Sequence, residues 1–427
     1  MTTAAHGLAP LRQQLDNGAT VIAQHTATHA AVTLYGSLPA GSGFDPDEAV
    51  GTAHFTARVL DRGTERRSAE ALAEAFDGRG VSLSLNVTRH LLTFGCTCLS
   101  EDVAAVLELL ADILRRPVFP SDQVELRRNA IVTSLREDED NPATVATEEL
   151  MASLYPWHPY GRRSKGTVDS VERITRDQLV DFHRAHAGSR GLRLVVVGDV
   201  EAARAVDLAA QTFGDWTEPG GAPLEPPAVA PASGRVERSI AMPGKVQSDI
   251  AYGFVTITRT DPRYYAMTLM NNVLGQYGLG GRLGDSIRER QGMAYYVFSS
   301  LDANIAPGPL LVRAGVSPAN VTRAIASIDD EIRRMAAEGV THEELRDARQ
   351  YLIGSMPRML ETNSGIAAFL HTADVFDLGL DFDRRLPGLL SAVTREQVAD
   401  VASAFLVPER AAVVVAGPAA TPVQAGS

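Results

Sequence analysis

Ile174-Thr175-Arg176-Asp177-Gln178-Leu179 and Val393-Thr394-Arg395-Glu396-Gln397-Val398 are two versions of one phrase. Each contains Thr-x-x-Gln, the capping box in which a threonine hydroxyl and a glutamine side chain close the first turn of a helix reciprocally. Downstream, Leu194-Val195-Val196-Val197-Gly198 is matched by Val413-Val414-Val415-Ala416-Gly417, an apolar run with the length of a buried strand. Thr175 to Thr394 and Gly198 to Gly417 are both separations of 219 positions. A helix followed by a buried strand at one fixed offset marks an internal duplication. Between the copies, Trp216 to Gly234 contains Pro219, Pro223, Pro226, Pro227 and Pro231, which exclude a helix and suit an extended connection. The expected organisation is a domain over residues 1–215, a linker over 216–234 and a homologous domain over 235–427.

Working outward, strands and helices alternate in both halves. The first half reads as strands near Thr20–Gln24 and Ala31–Gly36, a helix bearing His54, and a capped helix from Ser68 that ends before Gly78. A hairpin of Val81–Val87 and Leu91–Leu99 follows, then helices at Glu101–Arg115, Ser121–Arg136 and Pro142–Leu154. The second half reads as strand Gln247–Val255, helix Pro262–Leu274, a Gly-rich turn, helix Arg282–Arg290 and strands Ala294–Leu301 and Leu310–Ala314. Long helices at Ala319–Glu338 and Thr341–Ser355 come next, the second opened by a Thr341/Glu344 capping box. The fold class is α+β, with two homologous domains, each a mostly antiparallel sheet covered by helices.

Composition narrows the function. The chain has 427 residues, 45% hydrophobic and 22% charged, an ordinary globular balance that supports two cores. A net charge of −12 with no basic patch argues against nucleic acid and is compatible with basic peptides. Met1 to Pro10 lack the charge and apolar core of a signal peptide, and no apolar run has spanning length, so no membrane partner and a cytoplasmic location are expected. Cys96 and Cys98 read as small apolar residues of one strand.

The chemistry-bearing stretch is Gly51-Thr52-Ala53-His54-Phe55-Thr56-Ala57-Arg58. A helix carrying His-x-x-Glu-His places two imidazoles on one face for zinc and a glutamate beside them to activate water. Here His54 keeps the first position, Ala57 replaces the glutamate and Arg58 the second histidine. Alanine cannot accept a proton, and an arginine at working pH does not ligate a cation. A lone histidine on such a helix reads as a packed residue rather than a ligand.

Further motifs accompany it: Arg62-Gly63-Thr64, Leu154-Tyr155-Pro156-x-His158-Pro159-Tyr160-Gly161, Gly280-Gly281-Arg282-Leu283 and Ile287-Arg288-Glu289-x-x-Gly292-Met293-Ala294-Tyr295. Together they resemble the pitrilysin and mitochondrial-processing-peptidase family of inverted-motif zinc metallopeptidases, over nearly the whole chain. The resemblance implies two homologous α+β domains that enclose a chamber with a partner or second half. It places the third zinc ligand at Ser134 and a supporting glutamate at Arg127, so the metal site is degenerate and no cofactor is expected in this chain. It also implies that Arg288 and Tyr295 correspond to the arginine and tyrosine that bind substrate and stabilise the oxyanion in the family's site.

The spacing has its own logic: Gly292 would end a helix in a left-handed conformation, and Tyr295 would open the next strand, with Tyr296 turned to the other face. Arg288 capping its own helix and Tyr295 as a plain sheet residue are the structural alternatives. In Gly275-Gln276-Tyr277-Gly278-Leu279-Gly280-Gly281, the resemblance implies a substrate-touching loop at Gly278, Gly280 and Gly281; a tight interhelical turn is the simpler reading. The resemblance implies that Val81–Val87 corresponds to the edge strand on which family enzymes dock peptides, an edge that would be idle in a subunit without zinc.

The expected function is the non-zinc subunit of a heteromeric metalloendopeptidase, inactive alone. Its expected partners are a homologous subunit with an intact His-x-x-Glu-His motif, which would hold the zinc, and a peptide substrate. The alternative is an inactive homologue acting as a peptide-binding or scaffold protein, as a homodimer or a core-type subunit.

Overall fold

A computed structural model describes residues 7–27, 30–230, 234–276 and 280–418. The strands are β1 (Leu11–Gln14), β2 (Thr20–His25), β3 (Ala31–Leu38), β4 (Ser84–Val87), β5 (Leu92–Leu99), β6 (Arg193–Gly198), β7 (Val236–Ala241), β8 (Ser248–Val255), β9 (Ala294–Leu301), β10 (Pro309–Val316) and β11 (Ala412–Gly417). They form two sheets, in the orders β1-β2-β6-β3-β5-β4 and β7-β11-β8-β10-β9. Apart from β1, the orders are the same. In each sheet one pair is parallel, β2 with β6 and β7 with β11, and the other pairs are antiparallel.

The duplication is metrically regular. The helix Arg176–His186 and β6 recur 219 positions later as the helix Arg395–Phe405 and β11, at both ends of both elements. Both capping boxes form: Thr175 and Thr394 each donate a backbone N–H to the glutamine at 2.8 Å, and each hydroxyl accepts the glutamine N–H at 3.3 Å. Strands β3 and β5 recur as β8 and β10, 217 positions on.

The compact units are not contiguous stretches. The first comprises residues up to Leu135, Arg163–Glu225 and Met356–Arg384; the second comprises Arg136–Arg162, Pro226–Ser355 and Arg385 onward. The division therefore departs from boundaries at 215 and 235, because each sequence half contributes one helix to the other half's sheet. Alternation along the central strands shows why. In β6, Leu194 and Val196 face one core cluster with the helices of the first half, whereas Val195 and Val197 pack with Ile366, Ala367 and Leu370 of the helix Asn363–Val375. In β11, Val413 and Val415 face the second half's own helices, while Ala412, Val414 and Ala416 pack with Ala146, Leu150 and Leu154 of the helix Pro142–Leu154. Both central strands are apolar on both faces, so each sheet needs a helical layer on each side. Every Leu, Ile or Val so buried contributes about 1.5–3 kcal/mol. The approach is close in the second unit, where a Cβ on Gly253 of β8 would lie 3.0 Å from Leu154 and 3.1 Å from Leu150.

Cys96 and Cys98 sit on β5 in the first core cluster. Burial, followed by the neighbouring Cys98 thiol, pushes Cys96 up to about 12; burial, followed by Asp102, pushes Cys98 up to about 11. Among the described residues, no helix is long and apolar enough to cross a membrane.

Candidate functional site

In the second unit, the segment from Arg282 to Tyr295 is anchored at its start by an ion pair. Arg282 is 8% exposed and forks onto Glu344, Nε donating to Oε1 at 2.7 Å and Nη2 to Oε2 at 2.8 Å. Nη2 also donates to the Gly339 carbonyl at 2.8 Å. Glu344 accepts the Thr341 N–H at 2.7 Å and returns its own N–H to the Thr341 hydroxyl at 3.1 Å, the capping box read from the sequence. Burial would raise the Glu344 pKa, but the Arg282 fork and the Thr341 N–H outweigh it and hold the carboxyl at about 2.

From Gly284 to Arg290 the chain winds as a wide π-type helix. It ends at Gly292, whose φ of 62° is left-handed. The Gly292 N–H donates to the Arg288 carbonyl at 3.0 Å, and the Met293 N–H donates to the Ile287 carbonyl at 3.1 Å. The first is the 5→1 bond of an αL cap, and the second reaches back over the wider π-wound turn. Ile287 on the opposite side is fully buried, which leaves Arg288 on the outside, its side chain 45% exposed. Its one ion contact among the described residues is with neighbouring Glu289, at 3.9 Å.

Tyr295 follows in β9, the outer strand of its sheet. Pairing with β10 runs from Leu310↔Leu301 to Gly315↔Tyr296 and then shifts, so that Val316 faces Ala294. Tyr295 is the extra residue of this irregularity, a place where β-bulges re-aim a side chain. It is 64% exposed and has no hydrogen-bond partner among the described residues. Tyr296 turns away, as alternation requires, and donates its hydroxyl to Asp249 at 2.5 Å. Burial and that hydrogen bond raise the Tyr296 pKa. Asp249 also accepts from Gln247 at 2.9 Å. Tyr296, Asp249 and Gln247 line an open depression of about 520 Å³ together with Lys245, Asp140 and Glu137. No motif pointed to this depression, because its residues come from segments more than a hundred positions apart.

Of the Gly-rich stretch, Gly278 lies outside the described residues. Gly280 is exposed; Gly281 is buried, and a Cβ on it would meet the Gly275 Cα at 2.9 Å. The backbone contact gives Gly281 a packing reason to be glycine. The Leu154–Gly161 motif is also explained by packing. Tyr155 donates its hydroxyl to the Pro307 carbonyl at 3.0 Å, and the Tyr160 hydroxyl accepts the Ala306 N–H at 3.2 Å. His158 accepts the Tyr160 N–H through Nδ1 at 3.0 Å, and its Nε2 lies 3.1 Å from the Pro227 carbonyl.

The degenerate zinc positions lie in the first unit. The helix Thr52–Val59 is held at its N-terminus by buried Asp45, which accepts the Gly51 and Ala53 N–H groups at 2.7 Å each. Gly51 takes φ 100°, and a Cβ there would strike the Lys165 carbonyl at 2.7 Å. On this helix Phe55 and Ala57 are buried, His54 is partly buried and Arg58 is exposed. The helix Ser121–Glu139 lies against it, with the Arg128 guanidinium 5.1 Å from the Phe55 ring centre. It carries Arg127 and Ser134, both partly buried.

Zinc needs several neutral or anionic donors. Here the locus holds Arg58, Arg62 and Arg127. Burial, then the charge of Arg62, lowers the Arg127 pKa; Asp61 opposes and Arg58 adds to the effect. The residues present do not fit the metal. Among the described residues, no group of three His, Cys, Asp or Glu side chains could hold a metal ion.

Fold and sequence together define a duplicated α+β chain of metallopeptidase type. Residues 20–168 match the family described as Insulinase (Peptidase family M16), and residues 173–352 match the Peptidase M16 inactive domain. The chain belongs to peptidase family M16. It is similar to an uncharacterized zinc protease of Mycobacterium leprae, 28% identical over 365 residues, covering 84% of this chain and 81% of the relative. It is also similar to a probable mitochondrial-processing peptidase subunit beta of Arabidopsis thaliana, 25% identical over 418 residues, covering 95% of this chain and 77% of the relative. A crystal structure of a peptidase M16 inactive domain from Pseudomonas fluorescens superimposes with a TM-score of 0.91 at 27% identity, covering 98% of this chain and 100% of that one.

Proposed function

We propose that this chain is the zinc-less subunit of a two-subunit metalloendopeptidase and supplies Arg288 and Tyr295 to its partner's site. The partner is a homologous M16 chain with an intact His-x-x-Glu-His motif, and the substrate is a peptide. The reading includes the cytoplasmic setting expected from the sequence. The observation that carries it is the pair of donors at the glycine-capped turn: an exposed guanidinium and a bulge-borne phenol, neither of them used by the fold. A guanidinium and a phenol are suited to holding a peptide carbonyl and the oxyanion that forms when water attacks it. Asymmetry supports the same reading, since the metal positions have been replaced while these two donors and the cap that orients them are intact. In this chain's share of the reaction, Arg288 orients the scissile carbonyl and Tyr295 donates a hydrogen bond to the developing charge. At the family's glutamate position this chain has Ala57, which cannot activate water.

The test is reconstitution with the homologous His-x-x-Glu-His subunit from the same organism. Arg288→Ala lowers turnover of an unstructured peptide by about 10²-fold or more, the loss typical of an oxyanion donor, while the pair still co-elutes. An unchanged rate with the complex intact would refute the assignment and leave the scaffold reading.

A further inference from the structure

The positions that fail zinc have a chemistry of their own. By the family resemblance Arg58 stands where the second histidine would be and Arg127 where the supporting glutamate would be; Arg62 lies four positions after Arg58, in the turn that follows its helix. The three come from two adjacent elements of the first unit and are close enough for Arg62 and Arg58 to act electrostatically on Arg127. The Nε atoms of both Arg62 and Arg127 are buried without a hydrogen-bond acceptor among the described residues. Asp61 approaches the Arg62 Nε at 3.0 Å, off the line of a hydrogen bond, and is the cluster's one close carboxylate. Neither Arg58 nor Arg127 has a carboxylate within ion-pair distance among the described residues. Clustered guanidiniums with buried, unsatisfied donors are costly in the free protein.

We propose that this locus is an oxyanion site and that its occupant is a side-chain carboxylate of a bound peptide. The guanidinium fork matches a carboxylate bidentately, and its donors need no deprotonation. Arg58 is exposed and Arg62 and Arg127 are half-buried, so the cluster runs inward from solvent. A peptide is favoured over a small ion by β4, which is the outer strand of its sheet, packs against the His54 helix and leaves one edge unpaired. An extended peptide added to that edge would project alternate side chains across the sheet toward the helix. The site thus inverts the charge preference of a metal centre at the same place and selects acidic peptides. It is independent of the role of Arg288 and Tyr295.

The experiment is isothermal titration calorimetry on the full chain with three probes. These are a terminally blocked hexapeptide containing two glutamates, the same peptide with glutamines, and sodium phosphate. The glutamate peptide binds, the glutamine peptide binds at least tenfold more weakly, and phosphate competes. Arg58→Gln and Arg127→Gln each weaken the glutamate peptide by about tenfold, the worth of one charge-assisted hydrogen bond. Arg346→Gln, an equal loss of charge at an exposed site in the other unit, does not. Arg58 is exposed, so its variant keeps the fold, and Arg127→Gln relieves repulsion and does not lower the melting temperature. Equal binding of the two peptides, or arginine variants that behave like Arg346→Gln, would overturn the site. Binding of phosphate without the glutamate peptide would overturn the peptide assignment.

Discussion

Arg282→Met removes the anchor of the segment that presents Arg288 while keeping most of the aliphatic volume. The substitution deletes the two-pronged bond to Glu344 and the bond to the Gly339 carbonyl. Its magnitude follows from Glu344. An ordinary glutamate pKa of 4.5 is held at about 2, a difference worth on the order of 3 kcal/mol at neutral pH. Breaking a fully buried pair costs about 3–5 kcal/mol. The Glu344 side chain is 28% exposed and keeps the Thr341 N–H, so it rehydrates in part, and about 2–3 kcal/mol is expected at pH 7. The pH dependence supplies the sharper test. Because the folded pKa is depressed, the stabilisation is complete above about 4.5 and is lost as pH falls toward 2. By pH 4 about 1 kcal/mol of it has gone in the wild type, and the variant has no such slope. The gap between the two therefore narrows by about 1 kcal/mol from pH 7 to pH 4. Urea unfolding followed by far-ultraviolet circular dichroism at both pH values measures it, and hydrogen exchange over residues 281–292 shows whether the Arg288 turn loosens locally. A gap below about 0.5 kcal/mol at pH 7, or one that is the same at both pH values, would refute this account of the ion pair.

Three further outcomes are expected. Tyr295→Phe leaves the melting temperature unchanged, because its hydroxyl has no partner among the described residues, yet it lowers turnover of the reconstituted pair by about 10–10³-fold; steady-state kinetics decides, and full activity removes Tyr295 from the site. Gly292→Ala meets no atom within 4 Å but forces a left-handed alanine, costing about 1 kcal/mol, and Gly292→Asn costs less; equal stability of all three chains in urea would show that the cap is unstrained. His371 is buried against Ser37 at 2.7 Å, and burial, then the charge of Arg193, lowers its pKa from 6.5 to about 4. The unfolded chain takes up a proton there first, so wild-type stability falls as pH drops from about 6.5 to about 4, and His371→Gln flattens that part of the profile; an unaltered profile contradicts the assignment.

Local chemistry made much of this readable in advance. Capping boxes at Thr175, Thr341 and Thr394 form because hydroxyl and side-chain acceptor lie within one turn of each other. Gly292 is left-handed because the helix must stop before a strand begins two residues later. The edge strand is shorter than the expected Val81–Val87, covering Ser84–Val87, since pairing needs a partner and only those residues face β5. The depression beside Tyr296 was invisible, as its residues come from segments distant in sequence.

The chain by itself determined the duplication, its 219-residue offset and the α+β class. Each of these is carried by residue identities and spacings that hold whatever the packing. Only the tertiary structure decided which sheet each helix covers. Pro142–Leu154 and Asn363–Val375 are apolar-rich segments of 13 residues each, and nothing in such a segment names the sheet it will bury. The choice is made by the second apolar face of β6 and β11, which the helices of each sheet's own half leave uncovered and a helix from the other half fills.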